Sequence, residues 1–227
     1  MQRASCFSCF CLMIGALIGA ATSAHAQQDI GAAAAAHKEV SRELSGASAQ
    51  LSTGDPVYRD EIVRTGKEST AKLVFLDSTN LAVGPISRVV LDRFIYDPKS
   101  AESLGVKLAK GVFRFTTGAL HKDAYSITTP TAGIGVRGTV LDISVQGHRT
   151  RVTVVEGRAL VCPIKRGITF AQQARNCEKP HPTHCDCADV GAGQTAQASS
   201  SGGAVQVSLI PIPVQFASFC SGDASLC

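Results

Sequence analysis

Three glycines spaced as Gly133-x-Gly135-x-x-Gly138 form the first pattern in the sequence that could serve a chemical purpose. Dinucleotide-binding turns use this spacing against a pyrophosphate and place an acidic residue about twenty residues later, where Glu156 stands. Such a turn must open a helix whose N–H groups face the phosphate. Here TVLDISV follows and alternates like a strand. We therefore expect no nucleotide binding and assign the glycines to positive φ or close backbone approach.

A second group of reactive side chains lies near the C-terminus and combines thiols with imidazoles. Thiolate and imidazole groups at close spacing can bind zinc or copper. The spacing here matches none of the usual CxxC pairs, and in an oxidising compartment the same sulfurs form disulfides. Disulfides are therefore the favoured interpretation and a metal site is the alternative, with the candidate ligands Cys177, His181, His184, Cys185 and Cys187.

Cysteine placement defines the disulfide candidates. Three of the nine cysteines lie near the N-terminus, and the other six lie in the last third of the chain: Cys162, Cys177, Cys185, Cys187, Cys220 and Cys227. Their even number favours disulfides but leaves many pairings open. Cys185 and Cys187 are too close in sequence to pair comfortably with each other. We expect Cys220 and Cys227 to connect the apolar tail by disulfides to Cys185, Cys187 or Cys162.

The chain offers no recognisable catalytic constellation. It contains neither a GxSxG elbow nor an HExxH motif. Asp77 in FLDST is predicted to be a turn residue that accepts hydrogen bonds from neighbouring backbone. Asp142 in VLDIS is predicted to be a solvent-facing strand position. We therefore expect a protein that is not an enzyme and that uses no cofactor.

The N-terminal residues have the layout of a secretory signal peptide, residues 1–26. Arg3 precedes the apolar run FCLMIGALIGAA, and AHA ends it, which predicts cleavage after Ala26. The run is too short for a permanent span, so we expect an exported, periplasmic protein without stable membrane insertion. Without Arg3, 21 basic residues face 18 acidic ones and no basic cluster appears, which argues against nucleic-acid binding.

The following residues divide by composition. Residues 27–50 form an alanine-rich leader, compatible with a short helix or a loose segment. Residues 51–162 alternate apolar and polar side chains in AKLVFLD, GVFRFTTG and TVLDISV, with Gly, Pro, Asn and Asp between them. That rhythm predicts an all-β fold of short strands, a sandwich or roll, in which Leu141, Ile143 and Val145 face the core. Within this range, only the stretch YDPKSAESLGVKLAKG could form a helical turn.

Residues 163–227 form a disulfide-rich extension that we expect to be dominated by loops. The stretch RNCEKPHPTHCDCADVGAGQTAQASSSGGA is polar and rich in Pro, Gly and Ser. The apolar end, VQVSLIPIPVQFASF, is interrupted by Pro211 and Pro213, which argue against a membrane span. These features predict an edge strand followed by an extended segment that lies on the domain.

Taken in order, these segments resemble the FecR domain, a family named after the periplasmic signal transducer of iron-dicitrate uptake. The resemblance covers about residues 51 to 162 and includes Gly54-Asp55, Thr65-Gly66, the FLDSTNL segment and Gly111-Val112. Its most specific part is the block TP…VRGT, which VEG follows. The residues of these motifs are Thr129, Pro130, Val136, Arg137, Gly138, Thr139, Glu156 and Gly157.

The resemblance implies an exported β domain without catalytic residues that works by contacting other proteins. Members that transduce signals carry a cytoplasmic anti-sigma region and one membrane helix ahead of this domain, where a predicted signal peptide stands here. We therefore expect a non-enzymatic interaction module in envelope sensing or signalling, whose partner is another envelope protein: a sensor, a receptor or a membrane component. The alternative is an exported protein that binds a metal or small molecule through its Cys/His cluster.

Overall fold

The structure is a computed structural model that describes residues 29–95, 103–121, 124–177, 185–201 and 204–219. The predicted signal peptide lies outside these residues, as do His181, His184, Cys220 and Cys227. The helical turn considered for YDPKSAESLGVKLAKG does not form in its described part, because Ser103–Thr116 is a strand.

Strands make up most of the described residues. They are β1 (Asp29–His37), β2 (Val40–Leu44), β3 (Ala47–Gln50), β4 (Pro56–Tyr58), β5 (Ile62–Thr65), β6 (Thr70–Phe75), β7 (Asn80–Val83), β8 (Arg88–Ile95), β9 (Ser103–Thr116), β10 (Tyr125–Thr128), β11 (Ala132–Gln146), β12 (Arg149–Pro163), β13 (Ala188–Gly191), β14 (Thr195–Ser201) and β15 (Ala204–Ile210). One α-helix, α1, covers Phe170–Cys177, and a 3-10 turn covers Phe216–Phe219. No helix among the described residues is long and apolar enough to cross a membrane. The predicted all-β fold is confirmed.

The strands join into one continuous sheet around a shared core. The main path runs β15-β14-β12-β11-β10-β9-β7-β6-β1-β4; β13 pairs with β12, and the series β8, β5, β2 and β3 branches from β9. Among the described strands, only β9 and β10 pair in parallel. Because β9, β11 and β12 are 14 or 15 residues long, each pairs with different neighbours along its two halves.

A β-bulge changes which side chains of β11 face the core. Core residues are even-numbered up to Val136 and odd-numbered from Leu141 onward. Between them, Gly138 and Thr139 lie opposite the single residue Gly157 of β12. Gly138 has a φ of +58° and Gly157 a φ of +80°, and a Cβ on Gly157 would lie 2.1 Å from the Gly138 carbonyl oxygen. The predicted positive φ at Gly138 is confirmed, and its cause is the bulge.

Side chains from both halves of the long strands fill one core. The three core positions predicted in β11, Leu141, Ile143 and Val145, are fully buried, which confirms the predicted strand. Phe113 and Phe115 of β9 are also buried. The Phe115 ring meets the Tyr125 ring edge-on, with 6.0 Å between their centroids, a favourable aromatic geometry.

The alanine-rich residues 29–37 form strand β1, so the expectation of a short helix or loose leader is wrong. β1 pairs with β6 along one edge and with β4 along the other. Ile30 and Ala33 are buried in the core, and a Cβ on Gly31 would lie 2.3 Å from the Val74 carbonyl oxygen. Alanine favours helices in isolation, but pairing on both edges satisfies the backbone of this segment and determines its conformation.

The C-terminal extension continues the sheet. β14 pairs with β12 and β15 pairs with β14, so the predicted edge strand is present. The residues after β15 then lie on the sheet, where Val214 and Phe216 are buried. The Val214 N–H donates to Thr153 Oγ1 at 2.7 Å. The predicted extended segment on the domain is confirmed.

The second face of β9, β11 and β12, called the outer face below, carries a buried ion pair. The Asp142 carboxylate accepts hydrogen bonds from Arg114 Nε at 2.8 Å and Nη2 at 2.9 Å, and from the Phe216 N–H at 2.9 Å. Asp142 is only 2% exposed, so the prediction of a solvent-facing residue is wrong. Alternation assigns Asp142 to a face of the sheet but does not reveal that the C-terminal segment covers that face.

Two substitutions in β11 test this arrangement. We expect Ile143→Ala to lower the free energy of unfolding by about 2–5 kcal/mol, because it opens a cavity in the core. Asp142→Ala should cost about 3–5 kcal/mol, because it leaves the Arg114 guanidinium largely buried without its carboxylate. Urea unfolding measures both, with Ser144→Ala as the control at a neighbouring position of the outer face. A loss below about 1 kcal/mol for Asp142→Ala, typical of surface sites, would contradict the buried pair.

Candidate functional site

A groove of about 780 Å³ lies between helix α1 and strands β10, β11 and β12. Phe170 of α1 packs on its floor, where a Cβ on Gly133 or Gly135 would lie 2.8 Å or 2.7 Å from a Phe170 ring carbon. The first two glycines of the GxGxxG pattern therefore let a helix approach the sheet closely. β11 runs through the whole pattern, so the glycines do not open a helix.

Two disulfides fix the chain around α1. Cys177, the last residue of α1, is bonded to Cys185, and Cys162 of β12 is bonded to Cys187. Cys185 and Cys187 thus have different partners, as predicted. Both bonds connect the residues that precede β13 to the walls of the groove.

The prediction that Cys220 or Cys227 bonds to Cys162, Cys185 or Cys187 is wrong, because these three sulfurs already have other partners. Cys220 and Cys227 themselves lie outside the described residues.

The candidate metal ligands are brought together only in part. The sulfurs of Cys177, Cys185 and Cys187 lie within 4.8 Å of one another. Because all three are in disulfides, they offer no thiolate, and a metal could be bound only after reduction. His181 and His184 lie outside the described residues.

Three arginines of the described residues line the groove, and two of them face each other. Arg137 of β11 and Arg158 of β12 are direct cross-strand partners. Arg175 of α1 and Asp189 of β13 are the other charged residues of the described lining. Arg158 Nη1 donates to Asp189 Oδ2 at 2.6 Å, in an exposed pair that contributes little to stability.

The buried residues of the family motifs support the backbone. Thr129 Oγ1 accepts hydrogen bonds from the Ala132 N–H and from the Thr150 hydroxyl, each at 2.8 Å. Val136 lies in the core, and the buried Thr139 donates its N–H to Thr117 Oγ1 at 3.0 Å. The exposed members of the motifs are Pro130, Arg137, Gly138, Glu156 and Gly157.

Asp77 is a turn residue, as predicted, and it also links distant strands. Its Oδ1 accepts the Thr79 N–H at 3.0 Å, and its Oδ2 accepts the hydroxyl of Tyr125 at 2.9 Å. The Tyr125 oxygen in turn accepts the Leu120 N–H at 3.0 Å. Burial raises the pKa of Tyr125. Every partner of Asp77 here is structural, which agrees with its role as a turn residue.

Glu61 is a buried acid that sequence reasoning missed. It is fully buried, and its Oε2 accepts hydrogen bonds from Arg42 Nη2 at 2.7 Å and from the Tyr58 N–H at 2.8 Å. Burial raises its pKa, against the opposing effects of the Tyr58 hydrogen bond and the Arg42 charge. The stretch YRDEIV contains two adjacent acids and does not show which one is buried. In the structure Asp60 has a positive φ and Glu61 points inward.

Comparison with known proteins identifies the domain that these strands form. Residues 61–160 match the family model described as FecR protein. This match confirms the resemblance to the FecR domain over residues 61–160. No curated protein sequence matches the chain.

Two crystal structures of a protein from Parabacteroides distasonis ATCC 8503, described as a "putative anti-sigma factor", are similar in fold to part of the chain. In each case the identity is 10% and the TM-score 0.47, over 69% of this chain. The match spans 62% of the length of that protein.

The pKa of Glu61 gives a testable pH dependence. Because the pKa in the folded state lies above the ordinary value of 4.5, the stability that protonated Glu61 contributes is present below that value and is lost as the pH rises through the folded pKa. Between about pH 4 and about pH 7, the unfolding free energy of wild type should therefore fall relative to that of Glu61→Gln.

Urea titrations at both pH values measure this difference. Glu68→Gln is the control, because Lys38 lowers the pKa of that exposed glutamate, and its smaller difference should have the opposite sign. A Glu61→Gln difference that does not change with pH, or that moves against the variant, would show that the pKa of Glu61 is not raised.

Proposed function

We propose that this chain is a non-enzymatic protein-interaction module of the periplasm that takes part in envelope sensing or signalling. The FecR domain supports a role in signalling or sensing. The predicted signal peptide, residues 1–26, supports export. The partner we propose is another envelope protein that contacts the sheet at strand β15.

The observation that carries the proposal is the outer edge of β15, which no other described strand covers. Among the described strands, β15 pairs with β14 alone, through seven residues in continuous register. Its sequence AVQVSLI contains no charge and no proline. Natural proteins protect exposed edges with charges, prolines or bulges, because an open edge can pair with another chain. β15 has none of these, so its edge is suited to receive a strand of a partner.

Exposed apolar side chains extend this edge into a surface. Leu209 is 53% exposed, and Ile212, just beyond the strand, is 56% exposed. A partner strand that pairs with β15 would cover both side chains, which adds apolar burial to the backbone hydrogen bonds.

The alternative hypothesis, metal binding through the Cys/His cluster, finds less support. The sulfurs of Cys177, Cys185 and Cys187 are in disulfides, so the described residues favour a structural role for them. We therefore assign the cysteines to the fixation of α1 and not to a metal site.

A pull-down with matched variants tests the proposal. The tagged mature protein is incubated with envelope extract of its source bacterium, and bound proteins are quantified by mass spectrometry. Leu209→Lys should lower recovery of the specific partner by about tenfold or more, because a buried ammonium without a counter-charge costs far more than the ~1.4 kcal/mol that corresponds to tenfold.

Leu76→Lys is the control, because Leu76 is a similarly exposed leucine, at 64%, in the turn after β6. This variant should recover the partner as well as wild type does. Equal recovery by wild type and Leu209→Lys would show that β15 is not the contact. If wild type retains no envelope protein above the background of untagged beads, the proposed function as an interaction module is contradicted.

A further inference from the structure

The two disulfides lie close enough for the sulfurs of one to react with the other. Cys177 and Cys185 form one bond, and both of their sulfurs lie within 4.8 Å of the sulfur of Cys187, which belongs to the other bond. The sequence causes this proximity, because only Asp186 separates Cys185 from Cys187. Disulfides exchange by attack of a thiolate on one of their sulfurs. A thiolate formed at the first bond would therefore find a sulfur of the second bond nearby.

The two bonds differ in their access to a reductant from solution. Cys162 of β12 is fully buried, and its partner Cys187 is half-buried. In the other bond Cys185 is exposed and Cys177 is half-buried. Because exchange requires access of the attacking thiolate to a disulfide sulfur, a dithiol from solution reaches Cys185 first. The bond between Cys177 and Cys185 should therefore open before the bond to Cys162.

Once its own bond is open, Cys177 has more freedom to move than Cys187. No residue of α1 is buried, and Phe170 packs on the sheet at the end of the helix opposite to Cys177. The position of Cys187 is fixed by the strand that follows it, since Ala188 of β13 pairs with Val161 of β12. The end of α1 can therefore bring Cys177 against a stationary Cys187.

Cys185 is poorly suited to the same attack. It stands two residues before Cys187, and the distance and direction that a disulfide requires disfavour a bond between residues so close in sequence. Cys177 approaches from a separate element, α1, and is not restricted in this way. The geometry thus makes Cys177 the attacking residue and Cys187 the sulfur that it attacks.

We propose that these four cysteines form a thiol–disulfide relay, which transfers reduction by a dithiol from the exposed bond to the buried one. One thiolate of the dithiol attacks Cys185 and displaces Cys177 as a thiolate. The second thiol of the dithiol then displaces Cys185. The dithiol is thereby oxidised to a disulfide, and Cys177 and Cys185 take up its two electrons and two protons.

The second stage of the relay exchanges partners without net electron transfer. Cys177, as the thiolate, attacks the Cys187 sulfur. A bond between Cys177 and Cys187 forms, the bond between Cys162 and Cys187 breaks, and Cys162 leaves as a thiolate that takes up a proton. The relay does not involve β15, so the proposed interaction and the relay can each fail without the other.

Two matched variants of the mature protein test the relay. Cys185→Ser and Cys177→Ser both lack the bond at the end of α1, but only Cys185→Ser keeps the Cys177 thiol. Each variant is treated with dithiothreitol, quenched in acid, unfolded and alkylated, and the Cys162 thiol is quantified by mass spectrometry.

The expected difference between the variants is large. At times when Cys162 is still mostly bonded in Cys177→Ser, its thiol should be about tenfold or more as abundant in Cys185→Ser. A thiol of the same chain acts at an effective concentration of about 1 mM or more, against about 0.1 mM of added dithiothreitol. Equal amounts of Cys162 thiol in the two variants would show that Cys177 does not attack the buried bond.

Wild type provides a second measurement that does not depend on the folding of a variant. Partly reduced wild type is quenched in acid, because exchange requires a thiolate, and is digested without further reduction so that linked peptides can be mapped. We expect the bond between Cys177 and Cys185 to open first and a peptide pair joined through Cys177 and Cys187 to appear next. Opening of the Cys162 bond first, or absence of the Cys177–Cys187 pair throughout reduction, would overturn the proposal.

Discussion

The glycine bulge between β11 and β12 is the constraint on which the rest of the structure depends. A strand alternates its side chains between two faces, so an extra residue exchanges the faces from that point on. Before Gly138 the even-numbered residues of β11 lie in the core, and after it the odd-numbered ones do. Without the bulge, either Val136 or Leu141 would have to leave the core. The bulge thus lets one strand serve both halves of the sheet.

The same exchange places Asp142 on the outer face, opposite Arg114 of β9, and the C-terminal segment covers this ion pair. Two residues of that segment, Val214 and Phe216, donate their backbone N–H groups to side chains of β12 and β11. The Arg114 guanidinium lies 5.7 Å from the centroid of the Phe216 ring, a favourable cation–aromatic geometry. Buried polar groups are costly unless they are paired, so residues beyond the matched range 61–160 satisfy groups within it.

Sequence reasoning succeeded where local chemistry determines the structure. The alternation around Ile143, the turn at Asp77 and the positive φ of Gly138 depend on nearby residues, and each is confirmed. It failed where residues distant in sequence determine burial or conformation. The C-terminal segment covers Asp142, and two neighbouring strands hold the alanine-rich β1 in an extended form. The groove was equally inaccessible, because Phe170 meets Gly133 and Gly135 only after α1 has folded back onto β11.

The bulge also sets the chemistry of the groove. In the register on its near side, Arg137 lies opposite Arg158, whereas on its far side Val140 lies opposite Glu156. A register shifted by one residue would turn one arginine away from the groove and would remove the like-charge pair. Gly138 and Gly157 therefore determine that Arg137 and Arg158 lie side by side at the mouth of the groove.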